Sequence, residues 1–248
     1  MKGNEQGAES NPLDGTGAKM KKPKTITITK KILTEEEADA TTALRRVIIH
    51  HDSSPWNPRE ENDYLFKIYS DCKYLSSDKG AVNPVVDYGK SPDKAKFVTG
   101  VYALPVYAYV HSGMAISLKP FNCPWDSGVA GWIYVNKAHF CEEMGLKKFS
   151  SKRAYKSAEG EVAELNQYIN GEVYGYSVEK RASVEDEWED TGDSCWGFFG
   201  NEVIPDMVAE AGGDEEGTIV CKTDEVCYFG DDKVEMVIAV REESRKAA

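Results

Sequence analysis

Alternation of apolar and polar residues predicts β-strands along much of this chain. Thr25–Thr29 alternates threonine with isoleucine, and both residue types favour extended backbone. Tyr102–Val110 and Glu172–Glu179 alternate in the same way, with aromatic side chains that suit a packed sheet face. Other apolar stretches predict strands at Leu44–Ile49, Met114–Leu118, Gly131–Val135, 194–199, Thr218–Cys221, Val226–Phe229 and Val234–Val240.

A helical period of apolar residues is clearest over Ser151–Ile169, where it predicts the longest helix. The apolar stripe of that helix consists of Tyr155, Ala158, Val162, Leu165 and Ile169. Asn57 and Pro58 are favourable first residues of a helix, so a helix is predicted over 58–72. Shorter helices are predicted over 35–43, from Asn136 to Gly145, and over Glu202–Ala211.

Strands and helices are mixed without a regular strand–helix–strand alternation, which predicts an α+β fold. We expect a single mostly antiparallel sheet with helices packed on one face. Residues 1–23 contain almost no large apolar side chain and predict a disordered N-terminal tail, so residues 24–248 are expected to form a single α+β domain. No apolar run reaches the roughly 20 residues of a membrane helix, and no secretory signal is evident, so we expect a soluble protein without a membrane partner.

Charge adds a second pattern to this picture. The 248 residues carry a formal net charge of −12, which disfavours general nucleic-acid binding through phosphate contacts. Residues 157–248 hold 24 acidic and 7 basic residues, a net charge of −17, whereas residues 1–156 have a net charge of +5. The acidic third is either an ordinary solvated surface or a face that meets a basic partner. The candidate binding residues on that face are Glu185, Asp186, Glu187, Glu189, Asp190, Asp214, Glu215 and Glu216.

Motifs for cofactors and metals are missing from the sequence. There is neither a GxGxxG nor a GxxxxGK[ST] segment, and the six cysteines form no CxxC pair, so no cofactor and no metal site is predicted and the thiols are expected to be reduced. His50 and His51 are neighbours on a predicted strand and point to opposite faces, so they are expected to lie in solvent at a strand end rather than to share an ion.

His111, Asp126 and Ser127 are the candidate catalytic residues. A histidine with an aspartate and a serine nearby supplies the parts of a nucleophilic site. The alternative is that Asp126 and Ser127 form a turn with Gly128 at positive φ, and this interpretation is preferred. The three tryptophans Trp125, Trp132 and Trp196 either pack in the core, which is preferred, or form a platform for stacking bases.

A series of short motifs follows in a fixed order. They are Asn57–Asp63 (NPREEND), His111–Gly113 (HSG), Trp125–Val135 (WDSGVAGWIYV), Glu161-Val162, Asn166–Tyr168 (NQY), Gly171–Tyr176 (GEVYGY) and Asp193–Gly200 (DSCWGFFG). In these motifs, over roughly residues 44–211, the chain resembles a family of small proteins widespread in tailed-phage genomes. Family members usually have Gln where Val129 stands and Val where Ala130 stands. The resemblance implies a non-virion accessory phage protein in the host cytoplasm and carries over no catalytic residue.

Three hypotheses for function follow. The first is a phage accessory protein that binds a host or phage macromolecule, such as a DNA-binding defence protein, through its acidic C-terminal face, and that is not an enzyme. The second is a small hydrolase-like enzyme that uses His111 and Asp126. The third is a single-strand nucleic-acid binder that uses Trp125 and Trp132.

Overall fold

The computed structural model describes residues 25–61, 64–223 and 235–241. Its strands are β1 (Thr25–Thr34), β2 (Arg45–His51), β3 (Lys67–Ser70), β4 (Val85–Asp87), β5 (Lys96–Phe97), β6 (Val101–Val110), β7 (Met114–Ser117), β8 (Ser127–Asn136), β9 (Val173–Lys180), β10 (Glu189–Phe199), β11 (Thr218–Lys222) and β12 (Glu235–Arg241). Its α-helices are α1 (Glu35–Asp39), α2 (Pro58–Glu61), α3 (Lys137–Glu143), α4 (Ser151–Ile169) and α5 (Ile204–Glu210). The predicted tail 1–23 and the predicted strand Val226–Phe229 lie outside the described residues.

The largest sheet has six strands in the order β10-β9-β2-β11-β1-β12. Strand β11 runs parallel to both β1 and β2, and the remaining neighbours are antiparallel. Helix α5 covers one face, where Val47, Ile49 and Met207 are buried. Helix α1 covers part of the opposite face, where Ala38, Ile48 and Cys221 form a small cluster.

The second core belongs to a four-stranded antiparallel sheet with the order β3-β8-β6-β7. Helices α3 and α4 pack on it with Phe140, Ala158, Val162 and Leu165 buried, so the predicted stripe of α4 forms the contact. On the other face, the ribbon of β4 and β5 covers Trp132, whose ring lies 5.2 Å from that of Phe97. This arrangement places the two cores in separate sheets.

The prediction of an α+β fold with a single mostly antiparallel sheet and helices on one face is therefore wrong. The protein is a mixed α/β structure with three sheets, and helices cover both faces of the largest one. The reason is the pairing of distant strands: Arg45 of β2 lies beside Thr218 of β11. Alternation predicts each strand, but it does not indicate which strands pair or in which direction.

The predicted helix over 58–72 is also wrong. Asn57 and Pro58 do begin a helix, but α2 is a single turn and the chain then becomes strand β3. Phe66 and Ile68, two residues apart, are both buried, which is the period of a strand. Pairing with β8 on one edge of the sheet fixes this segment as extended backbone.

Most other local predictions are confirmed. Helix α4 has the predicted bounds, and the helix predicted over 35–43 begins at Glu35, where Thr34 forms a capping box, but ends at Asp39. Asn136 caps α3 by accepting from the backbone N–H groups of Ala138 and His139. The strands predicted at Tyr102–Val110 and Met114–Leu118 are present as β6 and β7, which pair antiparallel, as do β9 and β10.

Gly131→Ala should reduce the free energy of unfolding by about 1–3 kcal/mol. Gly131 lies between β3 and β6, and a Cβ there would press against the carbonyl oxygen of Tyr69 and lie 3.1 Å from Cα of Ser70. Urea unfolding monitored by circular dichroism measures the change.

Gly128→Ala, in the same strand, is the matched control because a Cβ there meets open space. Its effect should stay within about 0.5 kcal/mol. Equal losses for the two variants would show that the close approach of β3 and β8 does not require glycine.

Candidate functional site

Acidic residues from two neighbouring segments of the chain, β10 and the region from the end of α5 to β11, meet at one groove. The groove has a volume of about 410 Å³ and lies between the bulged part of β10 and the loop from α5 to β11. Asp193 lines it from β10, and Glu210 and Glu215 line it from the other side. Tyr176 and Val178 of β9 form its apolar part. We call this site the acidic groove.

Arg45 is the single basic residue among the described residues that line the acidic groove. Its guanidinium donates to the carbonyl oxygens of Ala211 (2.6 Å) and Gly212 (2.8 Å) and lies 3.5 Å from the Glu215 carboxylate. A cation in this position caps the carbonyl end of α5. Arg45 therefore holds the loop in place and offsets only part of the negative charge.

The predicted acidic residues are only partly brought together. Glu215 lines the groove, and Asp214 and Glu216 are its neighbours in the same loop. Glu189 and Asp190 are exposed at the start of β10, and the remaining three, Glu185, Asp186 and Glu187, are exposed in the connection before it. Asp193 and Glu210 also line the groove but are not among the candidate binding residues, because a single acid on a predicted strand or helix gives no signal for a groove.

A tryptophan anchors the acidic connection between β9 and β10. Two guanidiniums lie over the Trp188 ring, that of Arg46 at 4.6 Å and that of Arg181 at 4.4 Å from the ring centre. Its indole N–H donates to Asp39 at 2.9 Å. Arg181 also donates to the backbone carbonyl of Ala43 at 2.8 Å. The exposed acidic residues 185–187 therefore lie next to a tryptophan that is held against the sheet.

The candidate catalytic residues are neighbours in the sheet but do not bond to one another. The backbone N–H of Val110 donates to the carbonyl of Asp126 at 2.8 Å, which brings the segments of His111 and Asp126 together. The Ser127 hydroxyl donates to the carbonyl of Cys123, and the Asp126 carboxylate accepts from the Cys123 thiol at 3.5 Å. Within the described residues, no hydrogen bond links these three side chains. The nucleophilic site stays a prediction.

The alternative interpretation of this segment as a turn is correct for Asp126, which lies in a turn, and wrong for Ser127 and Gly128. Strand β8 begins at Ser127, Gly128 pairs with Ala108, and the φ angle of Gly128 is not positive. The antiparallel ladder with β6 holds the backbone extended from Ser127 onward, so the turn ends at Asp126.

The expectation that three tryptophans pack in the core is correct for only one of them. Trp132 is 3% exposed, whereas Trp125 is 91% and Trp196 is 49% exposed. Trp125 precedes β8 in a loop, and Trp196 belongs to the edge strand β10 and faces a part of the sheet that α1 does not cover. The structure therefore does not place Trp125 and Trp132 on one open platform.

Trp196 lines a second cleft, with a volume of about 610 Å³, at the end of β2. Glu35, His50 and Asp52 also line it. Trp196 lies flat across Gly175, where a Cβ would come within 2.6 Å of the indole, and its ring centre lies 5.3 Å from that of His50. We call this site the Trp196 cleft.

The two histidines of β2 point to opposite faces, as predicted, but they do not lie free in solvent. His50 shares a 2.8 Å hydrogen bond between its Nε2 and the Ser177 hydroxyl. The His51 ring bonds the carbonyl of Gly171 and meets Tyr174 edge-on. Burial lowers the pKa of His50 below its ordinary value of 6.5, so the ring is neutral at neutral pH. Within the described residues, no group of three or more His, Cys, Asp and Glu side chains could hold a metal ion.

A buried ion cluster explains the first of the sequence motifs. Arg59 forms ion pairs with Asp78 and, at 3.0 Å, with Glu161 of α4. All three side chains are about nine-tenths buried. Asp78 also accepts from the backbone N–H of Ile68 at 2.7 Å, so the cluster ties α4 to the edge of the four-stranded sheet. The motif at Asn57–Asp63 thus contributes a structural arginine.

No protein-family model, curated protein or solved structure matches this chain. The resemblance to the tailed-phage family therefore stays a prediction. In the part of the chain that the structure describes, no helix combines the length and apolar character needed to cross a bilayer.

Arg59→Met should cost about 3–5 kcal/mol in the free energy of unfolding, because it leaves two buried carboxylates without their cation. Chemical denaturation at neutral pH measures the loss. Lys119→Met is the matched control, since Lys119 pairs with Glu159 of the same helix but both side chains are largely exposed, at 75% and 48%. The control should change stability by less than about 0.5 kcal/mol. Similar losses in both variants would contradict the structural role of the cluster.

The stability of the protein should fall as the pH decreases through 6.5, in part because of His50. The folded-state pKa of His50 is lowered, so the unfolded chain takes up the proton first and unfolding becomes more favourable at acidic pH. His50→Gln retains a partner for Ser177 but does not titrate. The free energy of unfolding of the wild type, minus that of His50→Gln, should decrease between about pH 7.5 and 5. A difference independent of pH would contradict burial of the ring.

Proposed function

We propose that this protein is a non-enzymatic phage accessory protein that binds a basic macromolecule in the host cytoplasm through its acidic groove. A host or phage protein whose basic surface normally contacts nucleic acid is the expected partner. The phage origin rests on the motif resemblance alone. The assignment of the contact surface rests on the acidic groove.

The convergence of Asp193, Glu210 and Glu215 on one groove is the observation that carries this proposal. Acidic residues on an ordinary solvated surface need not face a common groove. In this chain, which has a net charge of −12, acidic residues from two segments do so. Within the described residues, neither Asp193 nor Glu210 forms an ion pair with a basic side chain. Their charge is available to a basic partner.

The remaining hypotheses receive less support from the site geometry. The hydroxyl of Ser127 and the carboxylate of Asp126 are both engaged by Cys123, and neither is hydrogen-bonded to His111. Trp132 is covered by the β4–β5 ribbon and offers no free ring face to a base. The acidic groove would repel phosphates.

Affinity capture from a lysate of the bacterial host tests the proposal. The groove variant Asp193→Asn/Glu210→Gln/Glu215→Gln should lose at least about fivefold of a basic partner that the wild type retains at about 0.1 M salt, because exposed charges act over roughly a Debye length. The wild type should itself release that partner at about 1 M salt. The purified partner should then bind duplex DNA less tightly when this protein is present.

Glu142→Gln/Glu143→Gln/Glu159→Gln is the control, because it removes the same charge from exposed positions on α3 and α4. It should bind the partner as the wild type does. Thermal unfolding of both variants confirms that each is folded. Equal capture by both variants, or the absence of any salt-sensitive partner, would show that the groove is not the contact surface.

A further inference from the structure

The Trp196 cleft contains an aromatic platform whose position is fixed. Trp196 lies across Gly175 on the neighbouring strand, where any larger residue would collide with the indole. The His50 ring meets it at an interplanar angle of 32°, and the Ser177 hydroxyl holds His50 in turn. Half of the indole nevertheless remains exposed. An immobilised, half-exposed ring loses little further entropy when a planar group stacks on it.

The charges around this ring select a cation. Glu35 and Asp52 line the cleft with Trp196, and none of its described lining residues is lysine or arginine. His50 is neutral at neutral pH because burial lowers its pKa, so it does not offset the two carboxylates. A phosphate or other anion would be repelled here, whereas a planar cation can stack on the indole and pair with a carboxylate.

The same protein shows which cation fits such a set of groups. Arg46 and Arg181 stack on Trp188, and the Asp39 carboxylate accepts from both Arg46 and the indole. Arg59 stacks on Tyr64, with its guanidinium centre 4.1 Å from the ring centre. In each place an aromatic ring and a carboxylate surround a guanidinium. The Trp196 cleft has the ring and the carboxylates on an open face of the sheet.

We propose that the Trp196 cleft binds an arginine side chain of the partner, with the guanidinium stacked on Trp196 and paired with Glu35 or Asp52. The cleft lies on the opposite face of the six-stranded sheet from the acidic groove, because Gly175 and Tyr176 are consecutive residues of β9. The inference rests on the proposed function for the existence of a basic partner, but the chemistry of the cleft is tested without that partner.

Titration of the full-length protein with three short peptides provides the test. Acetyl-Gly-Arg-Gly-amide is compared with peptides that carry lysine or the uncharged isostere citrulline in place of arginine. Two-dimensional NMR follows the indole N–H of Trp196 and the backbone N–H groups of Ser53 and Ser54, which also line the cleft. The arginine peptide should bind at least about fivefold more tightly than either of the others.

Two variants locate the binding. The double variant Glu35→Gln/Asp52→Asn should weaken binding of the arginine peptide by at least about fivefold, and Trp196→Leu should remove the shifts at Ser53 and Ser54. Trp125→Leu is the matched control, since it removes another exposed indole outside this cleft and should leave binding unchanged. Thermal unfolding verifies that each variant is folded.

Several outcomes would overturn the inference. Equal binding of arginine and citrulline would remove the need for a cation, and equal binding of lysine would show only general attraction to an acidic protein. Adenosine monophosphate is titrated in the same way, and binding tighter than that of the arginine peptide would identify a nucleobase site instead. No binding of the arginine peptide would eliminate the site. None of these results affects capture of a partner by the acidic groove, whose own variants leave the Trp196 cleft intact.

Discussion

Strand β2 is buried on both faces, and both candidate sites depend on this constraint. Val47, Ile48 and Ile49 are at most 2% exposed, because β9 and β11 flank the strand while α5 and α1 cover its two faces. Only its ends reach the surface. Since consecutive side chains point to opposite faces, the start of β2 supplies the arginine of the acidic groove, and its end supplies the histidine of the Trp196 cleft.

Guanidinium groups stacked on aromatic rings hold connecting segments at two places in the described residues. The stacking of Arg46 and Arg181 on Trp188 fixes the acidic connection before β10. The Arg59 cluster fixes the segment that leads into β3. A guanidinium can stack on a ring and donate hydrogen bonds in its own plane at the same time. This property accounts for both internal contacts and for the ligand that we propose for the Trp196 cleft.

The two cores are joined near the end of α4. The Gln167 side chain donates to Glu202 at 2.7 Å, and the backbone N–H of Gly200 donates to the carbonyl of Glu172 at 2.8 Å. The backbone N–H of Asp52 donates to Val173 at the same corner, also at 2.8 Å. The motifs GEVYGY and DSCWGFFG therefore meet where the four-stranded sheet with its helices adjoins the six-stranded sheet, beside the Trp196 cleft.

The sequence by itself determined the local elements and the charge of this protein. Local patterns predict the apolar stripe of α4, the starts of α1 and α3, and most strands, because residue periods and capping residues act within a few positions. The excess of acidic residues after residue 157 can be counted directly in the sequence. Only the tertiary structure decided that β11 separates β1 from β2, that Glu210 joins Asp193 in one groove, and that Trp196 faces His50. These contacts join segments more than 100 residues apart or on different elements, and strand alternation carries no information about which partner a strand will choose.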